Sequence, residues 1–283
     1  MRSEEEMYHL ILQKAQLDER IRGVLLNGSR ANKHVKPDRL QDFDIMYVVT
    51  ELTSFIEDSR WVDYFGPRLI MQLPDESALF PNDTSKETFA YLMQFEDGNR
   101  IDLTLISSET VKKQTKLDSL TKVLLDKDQL FTNLPESDAT DYLVSLPSEA
   151  EFNDCINEFW WVSTYVAKGL ARKEITYAKA MLDGPVRDMF LLALNWKLVA
   201  QSNQPLNLGK NGKFLQSYLT TEEWRTLLTT YSNGEIQSTW EALFNMCAFF
   251  MAISDYIELK LEYKNKTKQE KILTYLEKLK NNQ

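Results

Sequence analysis

The sequence predicts an α+β chain: an N-terminal α/β domain on a mixed sheet, residues 1–147, followed by a C-terminal helical bundle domain, residues 148–283. Three observations predict it. Short apolar runs rich in branched residues, closed by Gly, Pro or Asn-Gly-type turns, crowd the first half. Near residue 148 they give way to apolar positions at three- and four-residue spacing. A chain of 283 residues also exceeds one ordinary domain. The stretch PESDATDYLVSLPSEA (135–150), with its prolines and acids, holds the predicted boundary.

Residues 4–17 predict a helix, because Met7, Leu10, Ile11 and Ala15 recur at helical spacing and glutamates fill the first turn, where the helix dipole favours them. IRGVLLNG (21–28) predicts a buried strand ended by Gly28, and DFDIMYVV (42–49) a second. RLIMQLP (68–74) predicts a third, stopped by Pro74. FAYLMQFEDGNRIDLTLI (89–106) predicts an antiparallel hairpin, since Asp97, Gly98 and Asn99 tolerate the backbone angles of a tight turn. TKVLLDKD (121–128) adds a last strand. Helices are expected at 151–172, 186–200, 213–219, 221–231, 236–263 and 267–280.

The composition, 43% hydrophobic and 27% charged, excludes global disorder. Thirty-three basic against 42 acidic residues give a net charge of −9. Such a chain repels nucleic-acid phosphate and suits a cationic small molecule better, so no nucleic-acid partner is expected. Cys155 and Cys247 form no metal or redox motif, which fits a reduced, cytoplasmic setting. With only His9 and His34, a His-rich zinc site cannot be assembled. The acidic N-terminus lacks the features of a signal peptide, and the apolar run Leu243–Ile253, interrupted by Asn245, falls short of the roughly 20 residues that cross a bilayer. No membrane partner is expected, and a monomer is the default.

Three aspartates carry the chemistry. Asp42 and Asp44 stand at i and i+2 on a predicted strand, so they share a face, roughly 6.5–7 Å apart. Carboxylates held that way repel each other unless a cation sits between them, and a hard divalent ion such as Mg²⁺ suits oxygen donors. Asp102 lies on the second hairpin strand between Ile101 and Leu103, where an unpaired carboxylate is costly. If the two strands pair, the three acids surround one or two ions. Upstream, Gly28-Ser29-Arg30 follows a strand directly. Glycine permits a tight bend, the following N–H groups and the Ser hydroxyl can meet an anion, and Arg30 adds a charge suited to phosphate.

A strand followed by Gly-Ser, twelve residues, Asp-x-Asp and a third Asp on a later strand resembles the nucleotidyltransferase (polymerase-beta-like) superfamily. The segments NGSRANKHVKPDRLQDFDIMYVV, FEDGNRIDLTLI, VLLDKD, NEFWWVSTYVAKGLARKEI and LGKNGKFL, in this order over roughly residues 1–260, resemble the aminoglycoside 6-adenylyltransferase family. Asn27 departs from the Glu that members often carry before Gly-Ser. The resemblance implies transfer of AMP from ATP–Mg²⁺ to a hydroxyl of a cationic aminoglycoside, foremost the 6-hydroxyl of streptomycin, inactivating the drug. Enzymes on this scaffold that modify another small molecule or a protein are the rival reading, and a non-catalytic nucleotide-binding regulator is a third. Asp42 and Asp44 would hold Mg²⁺, Ser29 and Arg30 the β- and γ-phosphates, and Asp102 would act as general base, as metal ligand, or both.

An aminoglycoside site needs acids and aromatic faces. Glu96, Asp97, Glu158, Trp160, Trp161 and Asp183 are the candidates. Asp97 also reads as a turn residue, and of two adjacent tryptophans one is expected to face the core. Asp183, before Gly184-Pro185, is either a helix N-cap or a carboxylate at a helix break. Lys210 and Lys213, in a GKNGK turn without P-loop spacing, and Arg187 are candidates for triphosphate contact. His34 is expected in solvent.

Overall fold

A computed structural model describes residues 1–80, 87–114 and 116–282. The chain forms two compact units, Met1–Asp141 and Tyr142–Gln283.

In the first unit, α1 (Glu4–Leu17) opens on a capping box in which Ser3 and Glu6 satisfy each other's backbone N–H groups. Its buried Met7, Ile11 and Ala15 meet a six-stranded sheet. The strands are β1 (Ile21–Asn27), β2 (Phe43–Val49), β3 (Arg68–Gln72), β4 (Thr88–Phe95), β5 (Arg100–Ser107) and β6 (Thr121–Asp126). Their order is β3-β4-β5-β2-β1-β6; β2 and β5 run parallel and every other neighbouring pair antiparallel. The expected mixed sheet and hairpin are present. Two short connections, α2 (Thr53–Ile56) and the 3₁₀ segment Ser59–Phe65, were not anticipated, and α3 (Ser108–Lys113) follows β5.

Alternation along β2 defines the two faces of the sheet. Phe43, Ile45, Tyr47 and Val49 join the core under α1, and Tyr47 donates its hydroxyl to the Ile11 carbonyl at 2.6 Å. On the other face Val48 packs with Leu25, Ile106, Val111 and Phe131 in a smaller cluster. Asp44 alternates with Phe43 and Ile45, so it belongs to this second face, beyond the end of that cluster.

The second unit is helical: α4 (Glu149–Ala171), α5 (Ile175–Met181), α6 (Arg187–Ser202), α7 (Thr221–Thr229), α8 (Ile236–Leu261) and α9 (Gln269–Asn281). A Ser148–Glu151 capping box starts α4. Phe159 and Phe250 stack at 3.6 Å between ring centroids at the centre of the core. Residues 213–219 do not form the expected helix. Two 3₁₀ turns, Lys210–Gly212 and Leu215–Ser217, stand there instead, because Gly209 and Gly212 adopt φ of +73°. Between α5 and α6 the chain passes through a π-type turn, Leu182–Val186, where Gly184 leaves helical geometry before Pro185. By length and composition the 26-residue α8 could cross a membrane, contrary to the reading of its apolar run as too short. Its Trp240, Leu243, Met246, Phe250, Ile253 and Ile257 are instead buried in this core.

Candidate active site

The parallel pairing of β2 with β5 brings the acids together. Asp44 stands directly opposite Asp102, and Phe43 opposite Ile101. One further step of that register sets Asp42 level with Arg100. Residues two apart share a face, so Asp42, Asp44, Asp102 and Arg100 form a four-cornered array of charges on the open side of the sheet. Arg100 grips Asp102 with both arms of its guanidinium, Nε to Oδ1 at 2.7 Å and Nη2 to Oδ2 at 2.8 Å, while Nε lies 3.7 Å from Asp42 Oδ2.

The polar row continues across the sheet. Leu26 pairs with Ile45, which carries Asn27 beside Asp44, and Asn27 pairs with Thr121 of β6. Thr121 donates its hydroxyl to Asn27 Oδ1 at 3.0 Å. Immediately after Asn27 the chain bends through a 3₁₀ turn, Gly28–Ala31, with Gly28 at φ +68°. The glycine lies against Asp44, because a Cβ there would stand 2.2 Å from Asp44 Oδ2.

The electrostatics follow from crowding three acids around one base. Burial, then the Asp102 and Asp42 charges, push Asp44 up to about 6, against the pull of Arg100 and Arg30. Asp42 is also raised, chiefly by burial, with Arg100 opposing. Negative charge is therefore in excess, and a further cation is favoured at these carboxylates. Among the described residues no three His, Cys, Asp or Glu side chains are close enough to enclose an ion unaided. That is compatible with Mg²⁺, which commonly takes one or two carboxylates and completes its shell with water and substrate phosphate oxygens. Asp42 and Asp44 are hard-oxygen donors of that kind, so the donor set fits the ion.

Several predicted site residues have other surroundings. Arg30 is held by main-chain carbonyls: its Nε donates to the Asp42 carbonyl at 3.0 Å and its Nη2 to the Gln41 carbonyl at 2.8 Å. Its guanidinium lies 3.9 Å from the Phe43 ring centre, on the core side of the sheet, and pairs with Glu4. It anchors the main chain that delivers Asp42, and its charge pulls both the Asp42 and the Asp44 carboxyl down, against burial. Arg187 is likewise buried, its guanidinium bound to the hydroxyl and carbonyl of Thr230 and stacked on Tyr231. Trp160 is fully buried and donates to Gln269 at 2.8 Å, so it is a core residue. Trp161 is the exposed member of the pair and donates to the Tyr165 hydroxyl at 2.6 Å.

Asp183 is no N-cap. It lies inside the π-type turn, partly exposed, 2.8 Å from Lys179 Nζ and 3.8 Å from an Arg187 nitrogen. Glu158, Lys210, Lys213, Glu96 and His34 are exposed. Asp97 is the hairpin's own anchor. It accepts from the Arg2 side chain at 2.7 Å and from Asn99, and these donors overcome burial to hold its carboxyl well below the usual range. Arg100 and Thr121 were missed by sequence reasoning. For Arg100 a signal existed: it stands two residues before Asp102, on the same strand face.

A profile described as streptomycin adenylyltransferase matches residues 1–279. A protein of Bacillus subtilis (strain 168) called aminoglycoside 6-adenylyltransferase is 42% identical over 98% of each chain. One of the same name from Campylobacter jejuni is 40% identical, covering 98% of this chain and 95% of its own length. A third from Staphylococcus aureus is 35% identical over 91% of each. The crystal structure of an aminoglycoside 6-adenyltransferase from Bacillus subtilis, 39% identical, covers 99% of both chains with a TM-score of 0.48.

Proposed function

Because this chain belongs to the streptomycin adenylyltransferase family and is an aminoglycoside adenylyltransferase, we propose that its reaction moves AMP from ATP–Mg²⁺ to the 6-hydroxyl of streptomycin and so inactivates the drug. The observation that carries this reading is the pairing of Asp44 with Asp102 beside the Gly28 bend. Adenylyl transfer needs two things there: a base for a weakly acidic hydroxyl, and positive charge where the leaving phosphates gather electrons.

In this reading the acceptor oxygen attacks the α-phosphorus of ATP. Its proton passes to an Asp102 carboxylate oxygen as the bond from the α-phosphorus to the bridging oxygen breaks and pyrophosphate departs. Bound at Asp42 and Asp44, Mg²⁺ supplies charge neutralisation for the triphosphate. Ser29 and the N–H groups of the Gly28–Ala31 turn hold the β- and γ-phosphates. Lys210 and Lys213 of the helical unit are exposed cations of the kind that contact phosphate. Asp183, Glu158 and the Trp161 face are the groups matched to a guanidinium-bearing ring. A cytoplasmic setting, where ATP is available, belongs to the same reading.

The decisive assay is pyrophosphate release from ATP–Mg²⁺ with a panel of aminoglycosides. Release with streptomycin, and a product carrying AMP on its 6-hydroxyl, is the expected result. Folded, ATP-binding protein that turns over only with other acceptors would overturn the choice of streptomycin.

A further inference from the structure

Arg100 has no role in the scheme above, yet it makes the closest contacts in the site. It occupies one corner of the charge array, with acids at the other three. Its fork engages both oxygens of Asp102, a charge-assisted geometry stronger than neutral hydrogen bonds. A guanidinium keeps its charge at any physiological pH, so it can release Asp102 only by moving away. Movement is open to it: the Arg100 side chain is 40% exposed, whereas Asp102 is 22% exposed.

We propose that Arg100 is a positioning residue that serves as the resident counter-ion of the three acids and competes with the divalent ion for them. In the enzyme without nucleotide it holds Asp102 and Asp42 together against their repulsion. When a metal–nucleotide complex arrives, the ion's charge takes over at the carboxylates. The guanidinium then turns from Asp102 toward the only new anion, the triphosphate, and frees the Asp102 oxygens for the acceptor hydroxyl. Free metal brings no such anion, so Arg100 opposes its binding and metal enters with the nucleotide. This inference rests on reading Asp42 and Asp44 as the ion-binding pair and Asp102 as the base.

The test is Mn²⁺ binding in the absence of nucleotide, followed by electron paramagnetic resonance, on the full chain. Arg100→Gln is expected to bind Mn²⁺ on the order of tenfold more tightly than the wild type, since a like charge beside the ion has gone. Arg100→Lys keeps a charge but loses the fork, and is expected to fall between; it also serves if Arg100→Gln does not fold. The gain should vanish in Arg100→Gln/Asp44→Asn. Affinity equal to or below wild type in the Arg100 variant, with Asp44→Asn alone still weakening Mn²⁺, would overturn the competition and leave the acids as the ion site. A gain that survives Asp44→Asn would put the ion elsewhere and sink both readings.

Discussion

A methyl group on Gly28 would stand 2.2 Å from Oδ2 of Asp44, far inside van der Waals contact. The bend and the carboxylate are thus mutually dependent: Asp44 occupies its place because position 28 has no side chain. Gly28 also sits at φ +68°, which other residues rarely adopt. Gly28→Ala should displace Asp44 and the Ser29 turn together. A loss of about 100-fold or more in kcat/KM is expected, the scale of a 1 Å misplacement, with the far-ultraviolet circular dichroism unchanged. Activity within a few-fold of wild type would show that the close approach is dispensable.

Asp44→Asn should move activity and stability in opposite directions. Its carboxyl is raised to about 6 by burial and by its two acidic neighbours, so at pH 7.5 the folded state carries a charge it disfavours. A raised carboxyl stabilises the fold only while protonated, and that contribution fades as pH climbs through 6. The neutral amide should therefore raise the Tm of nucleotide-free protein, by on the order of 1–3 kcal/mol in stability, while abolishing turnover. Scanning calorimetry at pH 5 and 7.5 checks this, and the gain should be larger at the higher pH.

Asp18 predicts the reverse dependence. The Arg20 fork, at 2.9 and 2.7 Å, holds its carboxyl at about 2 against burial, with further help from the Arg20 N–H and Lys14. A lowered carboxyl contributes its full stability above the unfolded pKa of about 4 and loses it as pH falls toward 2. Asp18→Asn should melt below wild type at pH 7, and the two curves should merge in acid. A gap that persists at pH 2 would assign the effect to packing.

The adjacent tryptophans should separate fold from recognition. Trp160→Ala leaves a core cavity and strips Gln269 of its indole donor, and should cost about 3–5 kcal/mol. Trp161 is 58% exposed, so Trp161→Ala should change stability by less than about 0.5 kcal/mol. If its indole meets the cationic acceptor, that variant raises the aminoglycoside KM and leaves the ATP KM alone. Unchanged kinetics would remove Trp161 from the substrate site.

The hairpin of β4 and β5 was legible because Asp97-Gly98-Asn99 is a local turn signal, and Gly98 does adopt φ +86°. The shared strand face of the acids was legible because Asp44 alternates with Phe43 and Ile45, and Asp102 with Ile101 and Leu103. The contacts of Arg30 were not legible, for the opposite reason. Next to Gly-Ser it reads as a phosphate donor, but its surroundings are Phe43, Glu4 and two carbonyls brought there by the fold. The 213–219 segment looked helical by its apolar spacing, yet Gly209 and Gly212 break the backbone before a helix can nucleate.

Alternation of residue types and local turn chemistry act within a few positions along the chain, and they were enough to specify the strands, most of the helices and the face each aspartate occupies. The pairing of β2 with β5 joins residues more than fifty positions apart. That register, set by burial of the alternate residues under α1, decides that Asp44 meets Asp102 and that Arg100 stands among the acids. Such contacts depend on which surfaces exclude water together, a property of the folded whole that no short window of sequence contains.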